Sequence, residues 1–162
     1  FARSHPQVEV IIVRPTIVIG PNISNYIGRM ISQPRGFTIK GTNPPMQFVH
    51  EEDVARAFHF LLKKGDAGAY NLTGDGTLTL AESAALSNSK TVEFPFGFAY
   101  GLIHLYWLLR LKPVESQAGV LNFFRYPWVI SNDKIKKLGF KFEHTSRDAL
   151  TAFLKAQGRL AN

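Results

Sequence analysis

The stretch "QFVHEEDVARAFHFLLKKG" from Gln47 to Gly65 places a histidine directly before three acidic residues. Histidine beside carboxylates is the pairing that general acid–base catalysis uses. His50, however, follows two apolar residues of a short strand, and the acids open an amphipathic helix predicted from about Glu51 to Lys64. Negative charge in the first turn of a helix offsets its dipole. We therefore interpret His50 and Asp53 as structural junction residues: Asp53 holds neighbouring backbone, and His50 is expected to bond toward the Arg14–Pro15 turn.

Other patterns for catalysis are missing from the sequence. None of the five tyrosines has a lysine four residues later. Tyr106 has Arg110 at that distance, but inside an apolar segment where core packing is the better interpretation. There is no Gly-x-Ser-x-Gly motif and no His, Asp and Glu spacing typical of a metal site. We expect neither a catalytic residue nor a metal ligand in this chain.

Composition narrows the class of protein. The 162 residues carry a net charge of +7 and no cysteine, which excludes disulfides and thiolate metal sites. The basic residues are scattered, and the pairs Lys63–Lys64 and Lys136–Lys137 fall at predicted helix ends, so no nucleic-acid partner is expected. The start of the chain lacks an apolar signal segment and a methionine, which fits a cytoplasmic protein or a piece of a longer one.

The order of predicted elements is typical of an α/β protein. Val8–Pro15 is an apolar, β-branched run that predicts a buried strand of a parallel sheet. A helix, two short strands, the helix after His50 and the strand in "GAYNLTGDG" follow. Later segments are mostly helical, with Thr79 and Glu82 as a capping box and Thr145 or Ser146 as the cap of the last helix. Only two or three core strands are predicted, fewer than a complete doubly wound domain needs.

The segment Phe96–Pro113 is apolar on nearly every face. It is shorter than the roughly 20 residues that a membrane-spanning helix needs. With the aromatic residues around Arg125, its favoured interpretation is core packing plus a subunit interface, so a homo-oligomer is left open. An apolar substrate pocket and a contact with a membrane surface are the less favoured alternatives.

Four segments in this order resemble the extended short-chain dehydrogenase/reductase family of NAD-dependent epimerases and dehydratases. "VIIVRPTIVIGPN" resembles its "RP-x-x-V-x-GP" strand and turn, and "MQFVHEEDVARAFHFLL" its "F-V-H-V-x-D-V-A" strand and helix. "GAYNLTGDGTLTLAE" and "PWVISNDKIKKLGFKFEHTSRDALTAFL" are similar to its later segments. The Gly-rich phosphate loop and the Tyr-x-x-x-Lys of the family, which precede the first segment, are not present.

The resemblance implies the C-terminal half of such an enzyme. The expected fold is the C-terminal part of a Rossmann-type NAD(P)-binding domain plus a small, mostly helical substrate-binding domain. Residues 1–22 and 47–75 would belong to the nucleotide domain, and residues 23–46 and 76–162 mainly to the substrate domain. Cutting a parallel sheet at this point leaves an open edge beside Val8–Pro15, so dimerisation or aggregation of the isolated chain is expected.

The resemblance also assigns residues. By position, Pro15, Thr16 and Ile17 would lie against the nicotinamide of NAD or NADP, which the absent half would mostly bind. Asn22 would face the substrate. Met46 stands at the position where sugar-nucleotide epimerases of this family have an arginine that binds the diphosphate. The later phosphate-binding arginine of the family is not at its expected spacing before "LGF", and Arg125 is the arginine near that position.

The implied function is the substrate-binding portion of an NAD(P)-dependent, nucleoside-diphosphate-sugar epimerase/dehydratase-like oxidoreductase, inactive by itself. The uncharged Met46 leaves two alternatives open. One is a reductase or dehydrogenase of a smaller or more apolar small-molecule substrate at a membrane surface. The other is a non-catalytic binding module.

Overall fold

The computed structural model describes residues 4–5, 7–111 and 116–161, which form a mixed α/β structure. Its strands are β1 (Ile11–Pro15), β2 (Ile17–Ile19), β3 (Arg35–Ile39), β4 (Pro45–Met46), β5 (Phe48–His50), β6 (Gly68–Leu72), β7 (Leu78–Thr79) and β8 (Lys90–Phe94). Its helices are α1 (Tyr26–Ile31), α2 (Glu51–Lys64), α3 (Leu80–Leu86), α4 (Phe96–Leu108), a 3-10 helix (Ala118–Phe124), α5 (Asp133–Lys137) and α6 (Ser146–Ala156).

The strands pair two by two. β1 runs parallel to β6 with Val13 opposite Tyr70, and β2 runs parallel to β5 with Val18 opposite Val49. β3 and β8 are also parallel, whereas the short β4 and β7 are antiparallel. Parallel pairing requires a long crossover, and α2 lies within the one that joins β1 to β6. The predicted α/β class with parallel strands is confirmed.

Strand β1 differs from its prediction. It begins at Ile11 rather than Val8, and Ile12 is 48% exposed, so the expected burial of the whole run is wrong. Within the described ranges β6 is the strand that pairs with β1. One side of β1 therefore lacks a neighbour, and the apolar sequence reflects a surface that the described residues leave uncovered.

Strand β5 separates two apolar clusters. Successive side chains of a strand point to opposite faces, so Phe48 joins one cluster and Val49 the other. The Phe48 cluster includes Ile19, Leu150 and Phe153, and the Val49 cluster includes Leu61, Tyr70, Leu72 and Ile135. Helix α6 packs on the first side and α2 on the second. The end of β5 is thus fixed from both faces, which gives a rigid support for the residues after it.

The N-termini of α3 and α6 are capped by side chains that the sequence predicted. The Thr79 hydroxyl accepts from the Glu82 backbone N–H at 3.2 Å, and the Glu82 carboxylate accepts from the Thr79 N–H at 2.7 Å, which confirms that capping box. Thr145 and Asp148 form the same arrangement at α6. The buried Ser146 hydroxyl instead donates to the Phe48 carbonyl at 3.2 Å. Of the two residues predicted as the cap of α6, Thr145 is the cap and Ser146 ties the helix to β5.

Helix α4 is the largest departure from the predicted core. Among its described residues Ala99 is buried, while Phe96, Ile103 and Tyr106 are half-buried. The remaining apolar side chains of the helix are exposed, so core packing is wrong for them, while the subunit interface that was expected together with it stays a prediction. No helix in the described parts of the chain is long and apolar enough to cross a bilayer.

Candidate functional site

An open cleft of about 500 Å³ lies where the chain passes from β1 to β2. Its floor is fixed because the Thr16 backbone N–H donates to the Leu72 carbonyl at 2.9 Å, which continues the β1–β6 pairing past Pro15. The walls come from β2, α1 and the segment after the 3-10 helix. The lining residues are Pro15, Thr16, Ile17, Val18, Asn25, Ile27, Gln47, Phe123, Pro127, Trp128, Val129 and Ile130.

The lining of the cleft is mostly apolar and, among the described residues, carries no charged side chain. Its polar groups are largely occupied. The Asn25 amide donates to the Val18 carbonyl at 2.7 Å and accepts from the Gly28 N–H, and the Gln47 side-chain oxygen accepts from the Ile130 N–H at 2.8 Å. Such bonds fix the shape of the cleft before any ligand binds.

One donor in the cleft wall lacks a partner. The indole N–H of Trp128 is buried and, within the described part of the chain, makes no hydrogen bond. An unpaired buried donor costs about 1–3 kcal/mol. Phe123 packs edge-on against the indole with ring centroids 4.0 Å apart. Because this nitrogen is buried, a molecule in the cleft does not reach it without a rearrangement of the wall.

The three residues predicted to lie against a nicotinamide come together in this cleft. Pro15, Thr16 and Ile17 form one continuous wall at the carboxyl end of β1, the position at which α/β sheets bind ligands. The described residues offer no Gly-rich turn between a strand and a helix for a pyrophosphate, and the assignment of these three residues to the nicotinamide stays a prediction.

The three residues predicted to bind substrate are not brought together. Asn22 is exposed and donates to Glu51 from its backbone and its side chain, both at 3.0 Å. Met46 is 3% exposed in the core and bridges to Trp128 from beneath the cleft. Arg125 lies over the Phe96 ring at 4.3 Å and does not line the cleft. Their roles stay predictions, and their positions leave the cleft without a cation.

Gln47 is one of the cleft residues that sequence reasoning did not single out, and Trp128 entered it only as one of the aromatic residues around Arg125. Both lie inside segments quoted for the family resemblance, "MQFVH" and "PWVI". Their proximity depends on a parallel bridge between Met46 and Trp128, more than 80 residues apart in the chain. No short-range pattern signals such a contact.

The junction residue Asp53 is fully buried at the first turn of α2. Its carboxylate accepts from the backbone N–H groups of Glu143 and His144, both at 3.0 Å, and pairs with Arg56 at 2.7 Å. A buried carboxylate needs this degree of pairing. Asp53 thereby fastens the segment that precedes α6 onto α2, close to the end of β5.

His50 caps its own helix. Its Nδ1 accepts from the Glu52 backbone N–H at 3.3 Å, and its ring stacks on His144 with centroids 3.9 Å apart. The expected bond toward the Arg14–Pro15 turn is wrong, because this acceptor of the side chain is turned to the start of α2. His50 is 3% exposed. Its position is that of a packed helix-capping residue.

His50, Glu52 and His144 have ligand atoms within 4.8 Å of one another, a spacing that a metal ion can bridge. The two imidazole planes differ by 17° and face each other. Ring nitrogens coordinate in the plane of the ring, so stacked rings direct their lone pairs side by side rather than to a common point. His144 Nδ1 also lies 3.2 Å from Asp53. The arrangement does not fit a metal centre.

A turn after β6 completes the junction. Asp75 bonds to the Lys136 ammonium and to the Asn132 amide, and these two bonds hold the pKa of its carboxyl below the usual value. The Ser146 hydroxyl contacts the carbonyls of Gly74 and Gly76 in the same turn at 3.1 and 3.0 Å. The turn therefore joins β6, α5 and α6.

Comparison with known proteins tests the family resemblance that the four sequence motifs indicated. The model of the NAD dependent epimerase/dehydratase family matches residues 1–73, from the start of the chain to the end of β6. The match covers 73 of the 162 residues, a little under half of the chain. The resemblance expected from the sequence is confirmed over the segment that holds β1, the cleft wall and α2.

Solved structures with this fold share the architecture of the whole chain. The UDP-glucose 4-epimerase of Thermus thermophilus, in complex with NAD, is 13% identical with a TM-score of 0.65; the match covers 98% of this chain and 50% of that one. RMD from Pseudomonas aeruginosa, complexed with NADPH, is 19% identical with a TM-score of 0.61, covering 96% and 50%. The expected Rossmann-type epimerase/dehydratase fold is confirmed, and the chain spans about half of each structure.

A curated relative is similar over nearly the entire chain. The uncharacterized protein Rv0501 of Mycobacterium tuberculosis is 25% identical over 160 residues, which is 98% of this chain and 42% of that protein. The chain therefore spans less than half the length of this relative.

Proposed function

We propose that this chain is the substrate-binding, C-terminal portion of an NAD(P)-dependent oxidoreductase of the epimerase/dehydratase type. The observation that carries the proposal is the cleft at the carboxyl end of β1, with Pro15, Thr16 and Ile17 as one wall. The match of residues 1–73 to the family and the NAD and NADPH named with its structural neighbours support it. Residues 1–22 and 47–75 would complete the nucleotide domain, and the rest would form the substrate domain.

In this proposal the chain binds and orients but does not perform the acid–base step. The nicotinamide would supply hydride transfer when bound. Pro15 and Ile17 would exclude water from its ring, and Gln47 and Trp128 would fix the opposite wall. The acid–base tyrosine and its lysine would come from residues outside this chain, as the family resemblance implies. The isolated chain is accordingly inactive.

The lining favours a substrate smaller or more apolar than a nucleoside-diphosphate sugar. A diphosphate is normally held by arginine or lysine. The described lining residues carry no charge, Met46 lies in the core, and Arg125 is stacked on Phe96. Arg35 lines a different cavity, of about 240 Å³. A carbonyl or hydroxyl compound with an apolar body suits the uncharged cleft better.

The test uses the complete natural polypeptide with NAD or NADP, and compares nucleoside-diphosphate sugars with apolar secondary alcohols as hydride donors. Val129→Arg places a charge in the cleft wall, and we expect kcat/KM to fall by about tenfold or more, equal to 1.4 kcal/mol or more. Val92→Arg is the matched control, because Val92 is similarly exposed but lies outside the cleft. We expect the control to stay within about twofold of the natural protein.

The alternatives predict other results. Cofactor binding without turnover of any donor would favour a non-catalytic binding module. Turnover of sugar nucleotides but not of apolar alcohols would support a nucleoside-diphosphate sugar as the substrate. Turnover by the isolated chain would refute the proposal that it is inactive. An equal loss of kcat/KM in Val129→Arg and Val92→Arg would show that the loss does not arise from the change in the cleft.

A further inference from the structure

Helix α4 presents an apolar surface that nothing in the described structure covers. Five large side chains on the helix and one at its C-cap are between 40 and 69% exposed, and we call them the α4 surface: Phe98, Leu102, Leu105, Trp107, Leu108 and Leu109. Four of the six recur at helical spacing along one side: Phe98, Leu102, Leu105 and Leu109. A helix that is apolar on all sides is normally buried in a core or in lipid.

The attachment of α4 to the protein is narrow. Phe96, Ala99 and Ile103 pack on the main core, and Tyr106 is half-buried. Phe98 stacks on Phe94 but is 59% exposed, and the other large side chains of the helix face outward. Contiguous exposed apolar surface of this kind marks an interaction site on a soluble protein. Because only one side of the helix packs on the core, its outward side chains can enter a lipid or protein environment without unfolding the core.

We propose that the α4 surface docks the protein on a membrane leaflet that contains anionic lipid, with the helix lying in the plane of the interface. Its 13 residues extend about 20 Å at 1.5 Å per residue, less than the roughly 30 Å of hydrocarbon that a spanning helix crosses. An apolar helix too short to span, on the outside of a folded protein, suits the headgroup boundary.

The charges around α4 favour lipid as the occupant. No acidic residue lies between Phe96 and Arg110. Arg110 follows the C-terminal end of the helix and is exposed, and Arg125 lies over the Phe96 ring at the N-terminal end. A cation at each end of an apolar helix can reach lipid phosphates while the side chains between them enter the hydrocarbon. The net charge of +7 acts in the same direction.

Aromatic residues add to the same arrangement. Tyr100, Trp107 and Tyr126 are exposed, and tyrosine and tryptophan prefer the boundary between water and lipid. Phe123 is exposed as well and also lines the cleft beside Trp128. Docking through α4 would bring the cleft close to the leaflet. The proposal itself rests on α4 and does not depend on the oxidoreductase function.

The test is co-sedimentation of the complete natural polypeptide with two kinds of vesicle, phosphatidylcholine alone and an equal mixture with phosphatidylglycerol. We expect binding to the mixed vesicles that weakens as salt is raised, because surface charges are screened. Leu108→Gln should weaken binding by about tenfold, the equivalent of withdrawing one leucine from hydrocarbon. Leu105→Gln combined with Leu108→Gln should abolish it.

Two control variants make the result specific. Leu62→Gln changes the same residue type on α2, where Leu62 is 81% exposed, and should bind as the natural protein does. Gly101→Leu adds bulk to α4 at a position with nothing within 4 Å, and should leave vesicle binding intact. Because all substituted positions are exposed, the far-ultraviolet circular dichroism of each variant should match the natural protein.

Four outcomes would overturn the proposal. The first is no sedimentation with either vesicle, and the second is an equal loss in Leu62→Gln. The third is a concentration-dependent dimer that Gly101→Leu disrupts while vesicles bind nothing, which would make a second copy the occupant. The fourth is a Leu108→Gln variant that unfolds at lower denaturant without any change in vesicle binding, which would place the rest of the polypeptide on α4.

Discussion

Asp53 and His144 lie 91 residues apart in sequence, and the Asp53 carboxylate both accepts from the backbone N–H of His144 at 3.0 Å and approaches its ring nitrogen at 3.2 Å. This contact fixes the segment before α6 to the first turn of α2. Since α6 packs on β5, the same contact determines where the strand end and the neighbouring cleft lie. The acidic residue predicted as a junction from its sequence position has the environment of one.

Replacement of this carboxylate should be costly. In Asp53→Asn the amide keeps the shape but loses the charge that accepts from two backbone N–H groups and from Arg56. Hydrogen bonds to charged groups contribute about 1.5–3 kcal/mol, so we expect a loss of about 2–3 kcal/mol in the free energy of unfolding. Urea denaturation measures it. Glu52→Gln, next in sequence but exposed, should change it by less than about 0.5 kcal/mol; similar losses in both would refute the role of Asp53.

Gly74 is expected to tolerate no side chain. A Cβ there would lie 2.8 Å from the His144 carbonyl and from the Ser146 nitrogen, both backbone atoms. Gly74→Ala should therefore destabilise the chain by about 1–3 kcal/mol through overpacking. Gly101→Ala is the matched control, because its Cβ meets nothing within 4 Å and alanine favours a helix, so it should stabilise by up to about 1 kcal/mol. Thermal melting of both variants checks the pair, and equal melting temperatures would contradict the close approach.

Asp75 predicts a dependence of stability on pH. Bonds from Lys136 and Asn132 lower its pKa in the folded chain below the ordinary 3.8. A lowered pKa stabilises the folded state above the ordinary value, and the contribution is lost as pH falls through the folded pKa. Because the pair is largely exposed, we expect less than about 1 kcal/mol.

Unfolding free energies measured from neutral pH down to acid test this sign. Lys136→Met should flatten the acid limb of the profile, whereas Lys137→Met, one residue later, should leave it unchanged. A steeper acid limb in Lys136→Met would show that the sign is wrong.

The open side of β1 predicts self-association of the isolated chain. A strand with unpaired N–H and C=O groups is a template for pairing with another chain, and charged residues on it oppose this. Ile12→Lys should reduce the association seen in light scattering, while Leu62→Lys, a similar change on α2, should not. A monomer at all concentrations in the natural chain would contradict the prediction.

Local signals in the sequence were sufficient for most elements. Glu51–Lys64 forms a helix over the predicted residues because its apolar stripe, acidic first turn and basic last turn agree with one another. Thr79 and Thr145 cap their helices because the partner acid lies three residues later. Four ordered motifs also indicated the family resemblance and the Rossmann-type fold, since each motif joins a strand end to a turn or helix within a few residues.

What only the tertiary structure decided depends on contacts between distant segments. The bridge from Met46 to Trp128 places one residue in the core and the other in the cleft wall, and no local pattern encodes it. The apolar sequence of α4 predicted burial. Hydrophobicity, however, shows only that a side chain is more stable away from water, and it does not show which surface will cover that side chain. Which face finds a partner depends on the packing of the rest of the chain, and around α4 that packing leaves most of the helix exposed.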